Sequence, residues 1–170
     1  MPADFAVIIH QRHHFGSDAN HFGGGTNFVE GRAAKDFPFD TPDVDRSERA
    51  VLMFQTRDVD GIAHLFEING SHLFGGIPIS HSRDDWNGNI ALVEANVLLA
   101  DRPNSLLIQS RNSEGGILGD LDNFLIDNVV LLYKTRDADL RARLTVLEKA
   151  VGTAKTRSGT GRRAPKQQVR

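Results

Sequence analysis

Short apolar runs separated by turn-forming residues are the feature that most restricts the fold of this chain. Runs such as 4–10, 49–57, 105–109 and 124–133 are rich in β-branched and aromatic residues, and Gly, Asn, Asp and Pro lie between them. Such runs are typical of strands, and no helical periodicity interrupts them before Lys134. The pattern predicts an antiparallel β-sandwich or barrel over residues 1–134 and disfavours parallel α/β folds.

Several local signals refine this prediction. Pro38 interrupts the apolar alternation of Phe37 and Phe39, which predicts an edge strand. Asn69-Gly70 predicts a hairpin turn between strands at 62–68 and 72–74. Further short strands are predicted at 77–79 and 90–93.

The segment Gln11–Thr26 and the last apolar run carry their own expectations. We expect Gln11–Thr26 to be a long loop, because it holds polar residues and three consecutive glycines. In 124–133, a strand would place two sets of apolar residues on opposite faces, so we expect both faces to be covered. The first set is Phe124, Ile126, Val130 and Leu132, and the second is Leu125, Val129 and Leu131.

After Thr135 the periodicity changes. Four apolar residues spaced 4, 3 and 4 apart form one stripe of a helix: Leu140, Leu144, Leu147 and Val151. The stripe predicts one α-helix over about 136–151, within a C-terminal segment 135–152. Gly152 follows as a C-terminal cap. Two readings stay open: the stripe packs against the sandwich, or it forms a contact between copies in an oligomer.

The tail 153–170 is basic. It carries six of the 20 Lys and Arg residues and no acid, which leaves 14 basic and 22 acidic residues in 1–152. With so little apolar surface, the tail is expected to be a flexible arm on its own. Such an arm suits a polyanion, and the alternative is a solubilising tail. The candidate contact residues are Arg157, Arg162, Arg163 and Lys166.

Four motifs between Phe66 and Tyr133 resemble the galactose-binding-domain-like jelly-roll sandwiches found in many carbohydrate-binding modules. They are 65–70, ending in Asn-Gly; Trp86 followed by Ile90, Leu92 and Val93; 98–108, with Asn104 before an aliphatic run; and 122–129. Arg102-Pro103 stands where the family usually has Gly. The resemblance implies that residues 1–134 form an antiparallel jelly-roll β-sandwich, and family members bind sugars, proteins, lipids or nucleic acid, or brace a neighbouring domain.

The loop 80–89 offers a candidate ligand site. A sugar site needs an aromatic face for the ring and planar polar groups for the hydroxyls, and Trp86 lies beside several such groups. We therefore regard five residues as candidate glycan contacts: His21, Arg83, Asp85, Trp86 and Asn87. The alternative is that Trp86 opens a strand and packs into the core, which its even spacing with Gly88, Ile90 and Leu92 favours.

Metal and catalytic signals are weak. The histidines His10, His13, His14 and His21 lack the spacing of a zinc motif, so we predict no metal ligands there. Two acidic turns, 58–61 and 120–123, could contribute oxygen ligands to a structural calcium, although solvated turn acids are the simpler interpretation. The chain has no cysteine, P-loop or nucleophile-elbow motif, and we expect no other cofactor and no enzymatic activity.

These observations predict a non-catalytic binding or assembly module with a glycan or protein ligand. The first alternative is a structural subunit of a large particle, such as a virion or an injection machine, with the helix and arm reaching a neighbour. The second is a sandwich-fold hydrolase. No run approaches the ~20 apolar residues of a membrane span, and the N-terminus lacks a signal-peptide pattern. We therefore expect a cytoplasmic location or a place in a released particle.

Overall fold

The computed structural model describes residues 2–24, 26–60, 64–80, 82 and 84–136. The predicted helix (apart from its first residue) and the basic arm lie outside these residues, as does Arg83. Ten strands form within the described chain: β1 (Ala3–Ile9), β2 (His13–Gly16), β3 (Asn27–Glu30), β4 (Lys35–Phe39), β5 (Ala50–Arg57), β6 (Leu65–Ile68), β7 (Ser71–His72), β8 (Asn87–Val93), β9 (Asn104–Gln109) and β10 (Phe124–Lys134).

The strands form two sheets. The larger sheet has the order β3-β2-β10-β5-β8, and β1 also pairs with β10 beyond the end of β2. The smaller sheet has the order β4-β9-β6-β7. The described residues contain no helix, so the all-β prediction is confirmed for them. One pairing departs from the antiparallel expectation, because β2 and β3 run parallel.

Alternating side chains of the two sheets build one hydrophobic core. In β5, Ala50, Leu52 and Phe54 are buried, while the residues between them face outward. Phe54 meets Phe66 of the smaller sheet edge to face, with ring centroids 4.9 Å apart. Burial of such large aromatic side chains supplies much of the stability of a sandwich.

A bulge in β10 reverses the predicted faces of its second half. The register with β5 shifts between Asp127 and Val130, and Asn128 has a φ of 50°. Phe124 and Ile126 point into the core, but beyond the bulge the buried residues are Val129, Leu131 and Tyr133. The prediction that both faces of β10 are covered is therefore wrong beyond the bulge, where Leu132 is 42% exposed.

The local predictions had mixed outcomes. The hairpin at Asn69-Gly70 is confirmed: Ile68 pairs with Ser71, and both turn residues have positive φ. β4, which contains Pro38, is an edge strand as predicted. The expected strand at 77–79 is absent. The expected loop Gln11–Thr26 instead contains β2, which Phe15 anchors in the core by stacking on Phe124 at 5.4 Å.

Candidate functional site

The outward side of the larger sheet carries two rows of apolar side chains. Residues paired across neighbouring strands point to the same side of a sheet, so the register of β1, β10, β5 and β8 defines these rows. An isolated bridge between Phe74 and Leu92 extends one of them. We call these nine residues the outer face: Phe5, Leu132, Val51, Leu92 and Phe74 in the first row, and Val7, Val130, Met53 and Ile90 in the second.

The outer face is accessible in the described part of the chain. Phe74 is 88% exposed, Ile90 68% and Phe5 61%, and Val7, Met53, Leu92 and Leu132 are between 42% and 51% exposed. With ordinary side-chain areas, these fractions correspond to on the order of 500 Å² of apolar surface. That is near the upper end for a soluble monomer, and patches of this size mark binding surfaces.

A notch interrupts the outer face next to Ile90. Gly88 lies two residues after Trp86, near the start of β8, and a Cβ atom added at Gly88 would meet no atom of the described residues within 4 Å. Gly88 lines a mainly apolar pocket of about 550 Å³, whose lining also includes Met53, Gln55, Ile90, Asn128 and Val130. The face therefore has a concave feature as well as protruding side chains.

Polar residues border the outer face at both ends. At one end, Arg49 pairs with Glu94 at 2.9 Å and Lys134 pairs with Glu48 at 2.7 Å. At the other end, the Asn128 amide donates to Gln55 Oε1 at 2.8 Å. An apolar centre within a polar rim is the usual composition of a protein interface, and here the charges of the rim are paired.

Trp86 lies at the notch end and outside the hydrophobic core. Its side chain is half-buried, and the guanidinium of Arg12 lies 4.8 Å from its ring centroid. The core interpretation of Trp86 is therefore wrong: Ile90 and Leu92, which share its side of β8, belong to the outer face. Arg12 is in turn 3.7 Å from the carboxylate of Asp127.

His21 lies in a separate polar cleft. Its Nε2 is 2.9 Å from Asp58, and the cleft, of about 510 Å³, is lined by His21 with Asp18, Asp60, Ser113, Asp120, Leu121, Asp122 and Asn123. Asp85, Trp86 and Asn87 are not among its lining residues. The five candidate glycan contacts therefore do not form one lining, and Arg83 lies outside the described residues.

The structure brings the two predicted acidic turns together in this cleft. The Asp60 N–H donates to Asp122 Oδ2 at 2.9 Å, which is also 2.8 Å from His64 Nε2. His64 Nδ1 accepts the Arg111 N–H, so its Nε2 carries the proton that is donated to Asp122. This buried pair joins the loop between β5 and β6 to the loop between β9 and β10. No group of three or more His, Asp or Glu residues is arranged to hold a metal ion in the chain as described.

The two histidines within β2, His13 and His14, have a structural role. Burial is the main cause that lowers the pKa of both His13 and His14. The His14 ring packs edge-on against Phe22 and Phe28 at 4.7 and 5.0 Å, and its Nε2 is 3.2 Å from Asn123 Oδ1. These contacts hold the segment after β2 against the sheet.

Comparison with known proteins adds no identity: no family model, curated protein or solved structure matches the chain. Within the described residues, no helix is long and apolar enough to span a membrane. The outer face escaped the sequence analysis, which expected both faces of 124–133 to be covered. The signal was present in 124–133, where both alternating sets of residues are apolar.

Proposed function

We propose that this chain is a non-catalytic assembly module that binds a protein through its outer face. The observation that carries the proposal is the pair of apolar rows across four strands of the larger sheet. Exposing apolar surface to water costs roughly 25 cal/mol per Å². Covering these rows with a partner therefore contributes about 12 kcal/mol to the free energy of binding, before the costs of association.

The composition of the rim supports a protein rather than a nucleic acid as ligand. The rim cations Arg49 and Lys134 are both neutralised by glutamates. A polyanion would need unpaired cations, and those of the basic arm are a separate candidate for that role.

The resemblance to galactose-binding-domain-like jelly rolls agrees with this role, because many such domains bind without catalysis. Residues of two of its motifs are in contact: the Asn69 side chain donates to Asn104 Oδ1 at 2.8 Å. A structural subunit of a large particle would use the same outer face for contacts with its neighbours.

Site-specific photo-crosslinking in the cells that make the protein tests the proposal. A benzophenone amino acid replaces Ile90 on the outer face or, as a control, Leu118, which is 70% exposed and lies in the loop before β10. We expect irradiation to give a discrete protein adduct from position 90 and none from position 118. The absence of any adduct from position 90 would overturn the proposal.

A glycan is the second candidate ligand, and Trp86 favours it. Trp86 is half-buried and lies two residues before Gly88 along the chain, and the notch at Gly88 is lined in part by the amide side chains of Gln55 and Asn128. Binding on a glycan array that is lost in Trp86→Ala and kept in His21→Ala would support this candidate. Equal loss in both variants would refute it, because His21 lies in the separate cleft.

A further inference from the structure

We propose that the partner on the outer face is a second copy of this chain, bound face to face about a two-fold axis, with Phe5 of each copy filling the Gly88 notch of the other. This inference rests on the proposed function, because it names the partner of the same surface. It adds one contact that determines how the two faces align.

The area of the outer face suits a dimer. About 500 Å² of apolar surface, with the usual share of about 65% for the centre of a homodimer interface, implies roughly 800 Å² buried on each copy. That is the standard size of a specific interface. A much smaller area would not hold two copies together.

The charges of the rim also favour a second copy. In a two-fold contact, each rim meets the same rim of the other copy, so unpaired charges of one sign would repel each other. Here Arg49 is paired with Glu94, and Lys134 with Glu48. The rims of two copies can therefore meet at these positions without repulsion between unpaired charges of the same sign.

The positions of Phe5 and the notch satisfy the two-fold geometry. Phe5 is 61% exposed on β1, and Gly88 lies on β8, three strand spacings across the sheet and four residues along it, or about 20 Å away. A two-fold axis through the midpoint passes between β10 and β5 near Val130, within the outer face. An axis there places both Phe5 side chains over both notches and lets the two outer faces overlap broadly.

Sedimentation of the full chain over a range of micromolar concentrations tests this arrangement. We expect a dimer for the wild type and for Leu118→Lys, which changes an exposed apolar residue outside the face. Phe5→Ala should weaken dimerisation at least tenfold, because it removes the side chain that fills the notch.

Gly88→Leu is the decisive variant. It adds apolar surface, has open space within its own copy, and has no positive φ to strain the backbone. If the copies associate non-specifically through apolar surface, this variant should associate more strongly than the wild type. If Phe5 of the other copy occupies the notch, the new leucine blocks it and the dimer should be at least tenfold weaker. In the double variant Phe5→Ala/Gly88→Leu, the loss should be smaller than the product of the two single losses, because each change removes the same contact. Circular dichroism verifies that each variant is folded.

Several outcomes would overturn the proposal. A wild-type monomer throughout the concentration range would do so, and so would a Gly88→Leu dimer that is tighter than the wild type. A photo-adduct that joins position 90 only to a different protein would remove the second copy and leave the proposed function standing. An adduct from position 90 to residues 136–170 of the same chain would identify that segment as the occupant instead. No adduct with any protein would remove both.

Discussion

Replacing Asn104 by leucine should destabilise the fold more than any surface change, because this amide joins three loops. Asn104 is 1% exposed. Its Oδ1 accepts from the Leu99 N–H and from the Asn69 side chain, both at 2.8 Å. Its Nδ2 donates to Thr41 Oγ1 at 3.0 Å and to the Leu99 carbonyl at 3.1 Å.

The expected loss of stability depends on which hydrogen-bond partners of Asn104 keep a second hydrogen bond in the variant. Leucine has a similar volume, so the cavity cost is small. Asn69 still donates to the Val97 carbonyl, and the Leu99 carbonyl still accepts from Thr41. The Leu99 N–H loses this acceptor, which costs about 1–3 kcal/mol, and the other lost bonds cost about 0.5–1 kcal/mol each. Asn104→Leu should therefore lower the free energy of unfolding by about 3–5 kcal/mol.

Urea unfolding followed by circular dichroism measures this change. Asn20→Leu is the matched control: the same exchange at an exposed position should change the free energy of unfolding by less than about 0.5 kcal/mol. The slope of the transition should be unchanged, because the exposed area of the unfolded chain is the same. A loss below about 1 kcal/mol in Asn104→Leu would refute the reasoning about the unpaired Leu99 donor.

The remaining predictions concern pH, Trp86 and the arm. Burial lowers the pKa of His14, so as the pH falls the unfolded chain is protonated at this residue before the folded chain is. The free energy of unfolding should therefore decrease as the pH drops below ~6.5. His14→Gln should flatten that decrease in urea midpoints measured at several pH values, and an unchanged profile would contradict the prediction. Trp86→Ala should cost about 1–2 kcal/mol in thermal unfolding, and a cost of about 3–5 kcal/mol would instead indicate a core residue. In the arm, replacing Arg162, Arg163 and Lys166 by alanine should weaken polyanion binding. The slope of the logarithm of the binding constant against the logarithm of the salt concentration should become shallower by up to about three units. Unchanged binding would indicate a solubilising tail.

Part of the candidate site was within reach of the sequence. Trp86 with its polar neighbours and the two acidic turns were recognised, because these residue types have few roles in short loops. Their grouping was not. The acidic turns meet at Asp60 and Asp122, 62 residues apart, whereas His21 and Trp86, predicted as one set, lie in different places. Such proximity depends on sheet order, which no local pattern encodes.

Local sequence patterns were sufficient to predict the all-β character of the described residues up to Lys134, the Asn69-Gly70 hairpin and the edge position of the Pro38 strand. These depend on backbone preferences of single residues and on alternation, which act over a few positions. Only the tertiary structure showed that the bulge at Asn128 turns Val130 and Leu132 outward, that β2 is held in the sheet by Phe15, and that one of two apolar faces is left uncovered by the described residues. Alternation marks two faces of a strand, but only the second sheet selects which of them becomes the core, because burial is a property of what packs against a face.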